Sequence, residues 1–254
     1  MVKKRKIEEL AQLFAKYKTY PKEKFTINTA VGWFLENSDS YYAKDLRNDF
    51  LPKQNYQSEK RGGADLPFWG KEYFSNRKGK RIFIVAQDSQ TPDAGSIVFW
   101  AHLFGNLDLY KRFKDALGKN PETPLRYDKF ILEECKLNLD FLYITDAQKV
   151  YQNNSCKKFD RYQSRNLLEE EIDFCQPDVI VFLGGSGLKL LTEEQKLSDY
   201  YQSGKDIKIK GIAVFLFPFP TGNGLIWKKK YQKEVEIEIG KLKNNLDGAP
   251  ASLA

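Results

Sequence analysis

Cysteine and histidine are scarce. The 254 residues hold three cysteines, Cys135, Cys156 and Cys175, and a single histidine, His102. The cysteines are far apart, odd in number and form no Cys-x-x-Cys pair. That pattern argues against a zinc site or an iron–sulfur cluster, which need several thiolate or imidazole ligands at close spacing. It also suggests no disulfide framework, which fits a reducing compartment, so a cytoplasmic location is expected. No cofactor is implied. Long apolar runs are missing too, and no stretch approaches the length of a membrane span. The basic start Met1-Val2-Lys3-Lys4-Arg5-Lys6 leads into a segment with Glu8, Glu9 and Lys16 rather than an apolar leader core. No membrane partner is therefore expected. There is no internal repeat and no low-complexity segment.

What the chain does have is positive charge and aromatic bulk. Lys and Arg number 41 against 34 acids, a formal balance of +7, and aromatics make up 14% of residues. An excess of cations suits a polyanionic partner, because phosphate contacts depend on Lys and Arg. A basic enzyme with no nucleic-acid partner is equally compatible with the charge. The length suffices for one substantial core, or a core plus a small extension. A monomer is expected.

Apolar positions at helical spacing (Ile7, Leu10, Leu13, Phe14, Tyr17) predict an exposed amphipathic helix near the start. Residues 50 to 80 are irregular, with Pro52, Gly62-Gly63, Pro67 and Gly70 among several aromatics. Four strands follow: Arg81 to Ala86, Leu139 to Thr145, Asp178 to Leu183, and Gly211 to Phe217. Helical patterns lie between them, after Gly95, over Leu109 to Leu117, over Gln163 to Cys175 and briefly after Gly184. A last helix is predicted from Leu225 to Leu242. Alternating strands and helices predict an α/β fold, three layers deep, around a central, mostly parallel four-stranded sheet. The expected division is a helical and loop extension over 1–79 packed on the core, an α/β domain over 80–245, and a flexible tail over 246–254.

Ligands of such sheets sit beyond the carboxyl ends of the strands. The predicted strand ends are Gln87-Asp88, Asp146, Gly184-Gly185-Ser186 and Pro218-Phe219-Pro220. Taken in order, these motifs resemble the uracil-DNA glycosylase superfamily over roughly residues 80 to 230. Ala86-Gln87-Asp88 is similar to its first motif, Gly-Gln-Asp-Pro-Tyr. Phe99 lies at the distance of the phenylalanine that stacks on the extracted base. Tyr143-Ile144-Thr145-Asp146 is similar to the strand ending in a base-reading Asn. Lys149, the helix Gln163 to Cys175, and Gln176-Pro177-Asp178-Val179-Ile180-Val181-Phe182-Leu183-Gly184 resemble the segment after that Asn. Phe217-Pro218-Phe219-Pro220 resembles the His-Pro-Ser-Pro motif before the intercalating loop.

The resemblance implies a carboxylate, Asp88, that stabilises the sugar cation and positions water as an N-glycosidic bond breaks, with Gln87 beside it. The plainer alternative for Asp88 is a helix or turn cap. It implies Phe99 stacked on a base that has left the duplex, although core packing is the ordinary role of such a Phe. Asp146 stands in place of the Asn. An ionised Asp offers acceptors only, which disfavours the uracil carbonyl and favours the cytosine amine. Gln90 stands in place of a tyrosine that bars 5-substituted bases, so a 5-modified cytosine, such as glucosylated hydroxymethylcytosine in bacteriophage DNA, becomes the expected base. Such an enzyme would serve antiviral defence. Phe217 replaces the family's histidine and removes its donor. Gly185 and Ser186 suit a phosphate at a helix start. Leu225 and Ile226, after Asn223, are the expected wedge, Pro218, Pro220 and Asn223 are placed on the DNA side, and Lys157 and Lys158 are expected backbone contacts. The missing Cys-x-x-Cys implies no iron–sulfur cluster. The expected partner is DNA, and the expected activity is DNA base excision. An altered-pocket uracil glycosylase and a non-catalytic binder of modified DNA remain the alternatives. The reading needs both acids open at one rim of the sheet.

Overall fold

The computed structural model describes residues 61–64, 67–70, 72–74, 79–88, 129–152, 161–192, 196–220 and 222–248, together with parts of an N-terminal helix between residues 5 and 16. The strands are β1 (Arg61–Ala64), β2 (Phe68–Trp69), β3 (Ile82–Asp88), β4 (Leu142–Gln148), β5 (Val150–Gln152), β6 (Val179–Leu183), β7 (Ile207–Ile209) and β8 (Ile212–Phe217). The α-helices of the described region beyond residue 60 are α1 (Arg161–Cys175), α2 (Gly185–Thr192), α3 (Leu197–Ser203), α4 (Gly224–Lys230) and α5 (Gln232–Asp247), and Lys129–Glu134 forms a single π-helical turn. The predicted helices between Gly95 and Leu117 lie outside the described residues. None of the described helices is long and apolar enough to cross a membrane.

The fold is α/β with a mostly parallel central sheet. Its order is β2-β4-β3-β6-β8-β7, six strands rather than the four expected. The four predicted strands are the parallel ones, β4, β3, β6 and β8. β6 and the first five residues of β3 are apolar and buried, as strands covered on both faces must be, and β4 is buried throughout although it carries Thr145, Asp146 and Gln148. Two short antiparallel strands finish the edges. β2 pairs Phe68 and Trp69 with Ile144 and Tyr143. β7 folds back on β8 through Lys210 and Gly211, both with positive φ (50° and 80°), the geometry of a two-residue hairpin turn. A separate two-stranded ribbon joins β1 to β5.

The region before residue 80 enters this core. Trp69, Tyr73 and Phe74 are buried, and Trp69 and Tyr73 both pack on Tyr143 of β4. Trp69, Tyr73 and Phe74 thus belong to the same core as β4. The N-terminal helix is less exposed than predicted: Leu10 is fully buried, and Lys16 reaches Glu170 of α1 at 2.6 Å. The last helix is broken at Tyr231 and continues to Asp247, five residues past its predicted end at Leu242.

Side-chain alternation sorts the two faces of the sheet. Phe83 stacks on Tyr143, and Tyr143 and Thr145 donate to Glu171 of α1, so these residues share the first face with α1. Gly187 of α2 lies on the same face. A Cβ there would stand 2.6 Å from Phe182 and 2.8 Å from Val85, so only glycine lets α2 settle on β3 and β6. On the second face, Phe130 of the π-helical turn meets Phe217 edge-on at 5.1 Å. That turn is tied to α4 by Lys228–Glu134 at 2.5 Å.

Candidate functional site at the carboxyl rim of the sheet

The order β4-β3-β6-β8 contains a reversal. From β3 the chain moves outward to β4, and then returns to the other side of β3 for β6 and β8. A reversal of this kind is where open α/β sheets place their ligands, beyond the carboxyl ends of the strands; here it falls between β3 and β6. Gln87 and Asp88 end β3 at that point. β6 ends there at Leu183, and Gly184 turns with φ +86° into α2. A Cβ on Gly184 would lie 4.0 Å from Oε1 of Gln87 and 3.9 Å from Cβ of Phe219. The amide of Gly184 donates to the Phe217 carbonyl at 2.7 Å. Three strand ends therefore converge within contact distance. The exposed Gln87 carboxamide stands over the turn that opens α2.

Two predicted strand ends need correction. β3 runs through Gln87 and Asp88, and β4 runs through Asp146 to Gln148, because the parallel ladder continues as Ala86↔Asp146 and Asp88↔Gln148. Asp146 is therefore inside a strand and not at its tip. It lies on the second face, opposite Thr145, and is 2% exposed. The requirement that both acids be open at the rim is not met by Asp146. Asp88 sits one strand away and two rungs further along the ladder, so the two acids are neighbours in the sheet.

Phe217 is fully buried against Phe130 and belongs to the core of the second face. Pro218 and Pro220 are also buried, with Phe219 between them half-buried. Gly185 and Ser186 form the first turn of α2, half-buried beside Gln87. Asn223 is exposed before α4, and its side chain makes no capping bond. Leu225 is half-buried, whereas Ile226 is 69% exposed and Trp227 41% exposed. The outward apolar residues of this segment are therefore Ile226 and Trp227. Gln90, Phe99, Lys157 and Lys158 lie outside the described residues.

A buried polar cluster underlies the rim on the first face. Glu171 of α1 is fully buried and ion-paired with Lys149, which is itself 2% exposed and follows β4 directly. Glu171 also accepts from Tyr143 Oη at 2.9 Å and Thr145 Oγ1 at 3.1 Å, and Lys149 donates to Thr145. Each member thus has a partner in a region where an unpaired charge would be costly. One sequence signal pointed here: Glu171 interrupts the apolar stripe Leu167, Leu168, Ile172, Cys175. An acid on a core-facing stripe needs a buried cation.

Burial raises the Cys135 thiol to about 12 and holds the Cys175 thiol well above its ordinary range, with Glu171 adding to the effect at Cys175. Neither is poised as a nucleophile. Among the described residues no group of three or more His, Cys, Asp and Glu side chains could hold a metal ion.

No protein-family model matches the chain, and no curated protein matches it. The sheet order and the rim are what the molecule offers for a functional reading.

Proposed function

We propose that the chain is a DNA glycosylase of the uracil-DNA glycosylase type, acting at the carboxyl rim of its sheet on a base taken out of the DNA stack. One observation carries this reading. The reversal of strand order falls beside Gln87-Asp88, and the Gly184 turn meets both Gln87 and the Phe217-to-Pro220 loop there. Three of the stretches that carry the resemblance, Gln87-Asp88, the segment ending at Gly184 and Phe217 to Pro220, thus come together from separate parts of the chain. In this reading Asp88 supplies the carboxylate that stabilises the sugar cation and orients water. The first turn of α2 receives a phosphate of the strand. The base is a 5-modified cytosine, admitted by Gln90; Asp146, buried where the reading asked for an open acid, keeps a part in selection only if Asp146→Asn changes the base preference. The burial of Asp146 narrows its part: a base meets that carboxylate only by entering the second face of the sheet beside Ala86.

The test is incubation of the purified protein with DNA carrying uracil, cytosine or glucosylated hydroxymethylcytosine, scoring abasic sites. Abasic sites are expected with the modified cytosine, and Asp88→Asn should reduce their rate by about 100-fold or more. Preference for uracil would remove the modified-cytosine reading. Asp146→Asn that leaves the base preference unchanged would remove Asp146 from the site.

The core position of Phe217 favours a second reading. With the motif's histidine replaced by a ring sealed against Phe130, one donor to the departing base is missing. A single lost donor of this kind typically costs about 2.7–4 kcal/mol. A binder of modified DNA that does not cut it would show affinity in the same panel and no abasic sites, in wild type and Asp88→Asn alike.

A further inference from the structure

Helix α4 leads directly away from the rim. A Cβ on Gly224, its first residue, would stand 1.8 Å from the Phe219 carbonyl oxygen, so the helix starts pressed against the rim loop. Its two sides differ. Leu225, Lys228 and Lys229 turn to a groove of about 540 Å³ shared with Glu134 and α5. The other side carries Ile226, Trp227 and Lys230.

Trp227 is the outer rung of an aromatic ladder. Its ring is stacked on Tyr231 at 6.0 Å with an interplanar angle of 2°. Tyr231 meets Tyr201 at 5.3 Å, and Tyr201 meets Tyr200 at 5.5 Å. The Tyr201 hydroxyl donates to the Leu216 carbonyl at 2.9 Å, which fastens the ladder to β8. The Lys230 ammonium is 5.2 Å from the centroids of both Trp227 and Tyr231. Trp227 nonetheless stays 41% exposed, so it remains accessible on the helix surface.

From this we infer that Trp227 is a stacking platform for an unpaired DNA base next to the rim, with Lys230 on its phosphate. An indole held by a stacked neighbour and flanked by an ammonium offers a π-face and a phosphate partner together, the combination single strands use. Exposed apolar surface at Ile226 beside it is what a splayed strand covers. The net charge of +7 gives the complementary sign. A duplex, whose bases are already stacked on one another, gains less from the indole.

This deepens the proposed function by naming the state of the strand beside the rim. It is tested by binding alone, so an excision-inactive protein can still confirm it. Affinities are measured for a short oligothymidine, for the matching duplex and for phosphatidylserine vesicles. Trp227→Ala should weaken oligothymidine binding by about 5- to 100-fold and change duplex binding far less. Oligothymidine should quench wild-type tryptophan fluorescence, and Trp227→Phe should abolish that quenching while keeping most of the affinity, a readout that stands if the alanine variant misfolds. Lys230→Gln should lower the slope of log affinity against log salt by about one contact. The inference fails if Trp227→Ala leaves oligothymidine affinity unchanged, if quenching survives in Trp227→Phe, or if only the vesicles bind.

Discussion

The two ends of the central sheet are fastened in different ways. At the amino end, side chains clamp neighbouring segments. Asp178 accepts from the Arg81 amide at 2.7 Å, Arg81 Nη1 donates to the Cys175 carbonyl at 3.2 Å, and Lys80 donates to the Asn245 carbonyl. At the carboxyl end the chain turns on its backbone: Gly184 at φ +86°, two buried prolines, Gly222 at φ +54°, and Gly224 against Phe219. Among the described residues there, Lys149 and Glu171 pair beneath the rim, Asp146 and Gln148 are buried in β4, and Gln87 is open above it. An end closed by side-chain clamps has few groups left for a ligand. An end built from turns keeps amides and a carboxamide available. This difference supports the proposed placement of the site without use of any motif.

The contrast can be broken at its foundation first. Lys149→Met should cost about 3–5 kcal/mol in denaturant unfolding, because it leaves the Glu171 carboxylate buried without its cation. The double variant with Glu171→Met should recover most of that loss. A cost below about 1 kcal/mol for the single change would mean that the rim does not rest on this pair. Next comes the turn itself. Gly224→Ala should cost about 1–3 kcal/mol, since the Phe219 backbone must move, and it should also lower whatever activity or DNA affinity the rim carries. The smallest effect is expected at the other end. Asp178→Ala should cost about 1 kcal/mol through the lost bond from the Arg81 amide, and leave activity and DNA affinity as they were. Equal functional losses from Gly224→Ala and Asp178→Ala would erase the distinction between the ends.

The parallel strands were legible because burial on both faces makes them continuous apolar runs, as in Val179 to Leu183. Their ends were less so. Gln87, Asp88, Asp146 and Gln148 are polar and look like loop, yet the ladder carries through them, since strand pairing depends on backbone groups and not on side-chain polarity. β2 escaped notice because two residues between Pro67 and Gly70 give no period to read. β7 is three residues long, and its turn uses Lys210 at positive φ, where Asn or Gly would have been the cue. At the carboxyl rim, Gln87 stands beside the Gly184 turn. The burial of Asp146 and Phe217 was hidden, because position in a motif does not say which face of a strand a residue takes. Trp227 was passed over because a tryptophan next to lysines reads as helix surface until its stacked partners are known.

The short outer strand β7 has one more consequence. It offers only Ile207, Lys208 and Ile209 along its free side, with an exposed lysine at the centre. A neighbouring molecule trying to extend the sheet there would find too few rungs and a charge in the way. This flank is accordingly a poor seed for fibrils, even though the apolar strands behind it would zip readily if uncovered.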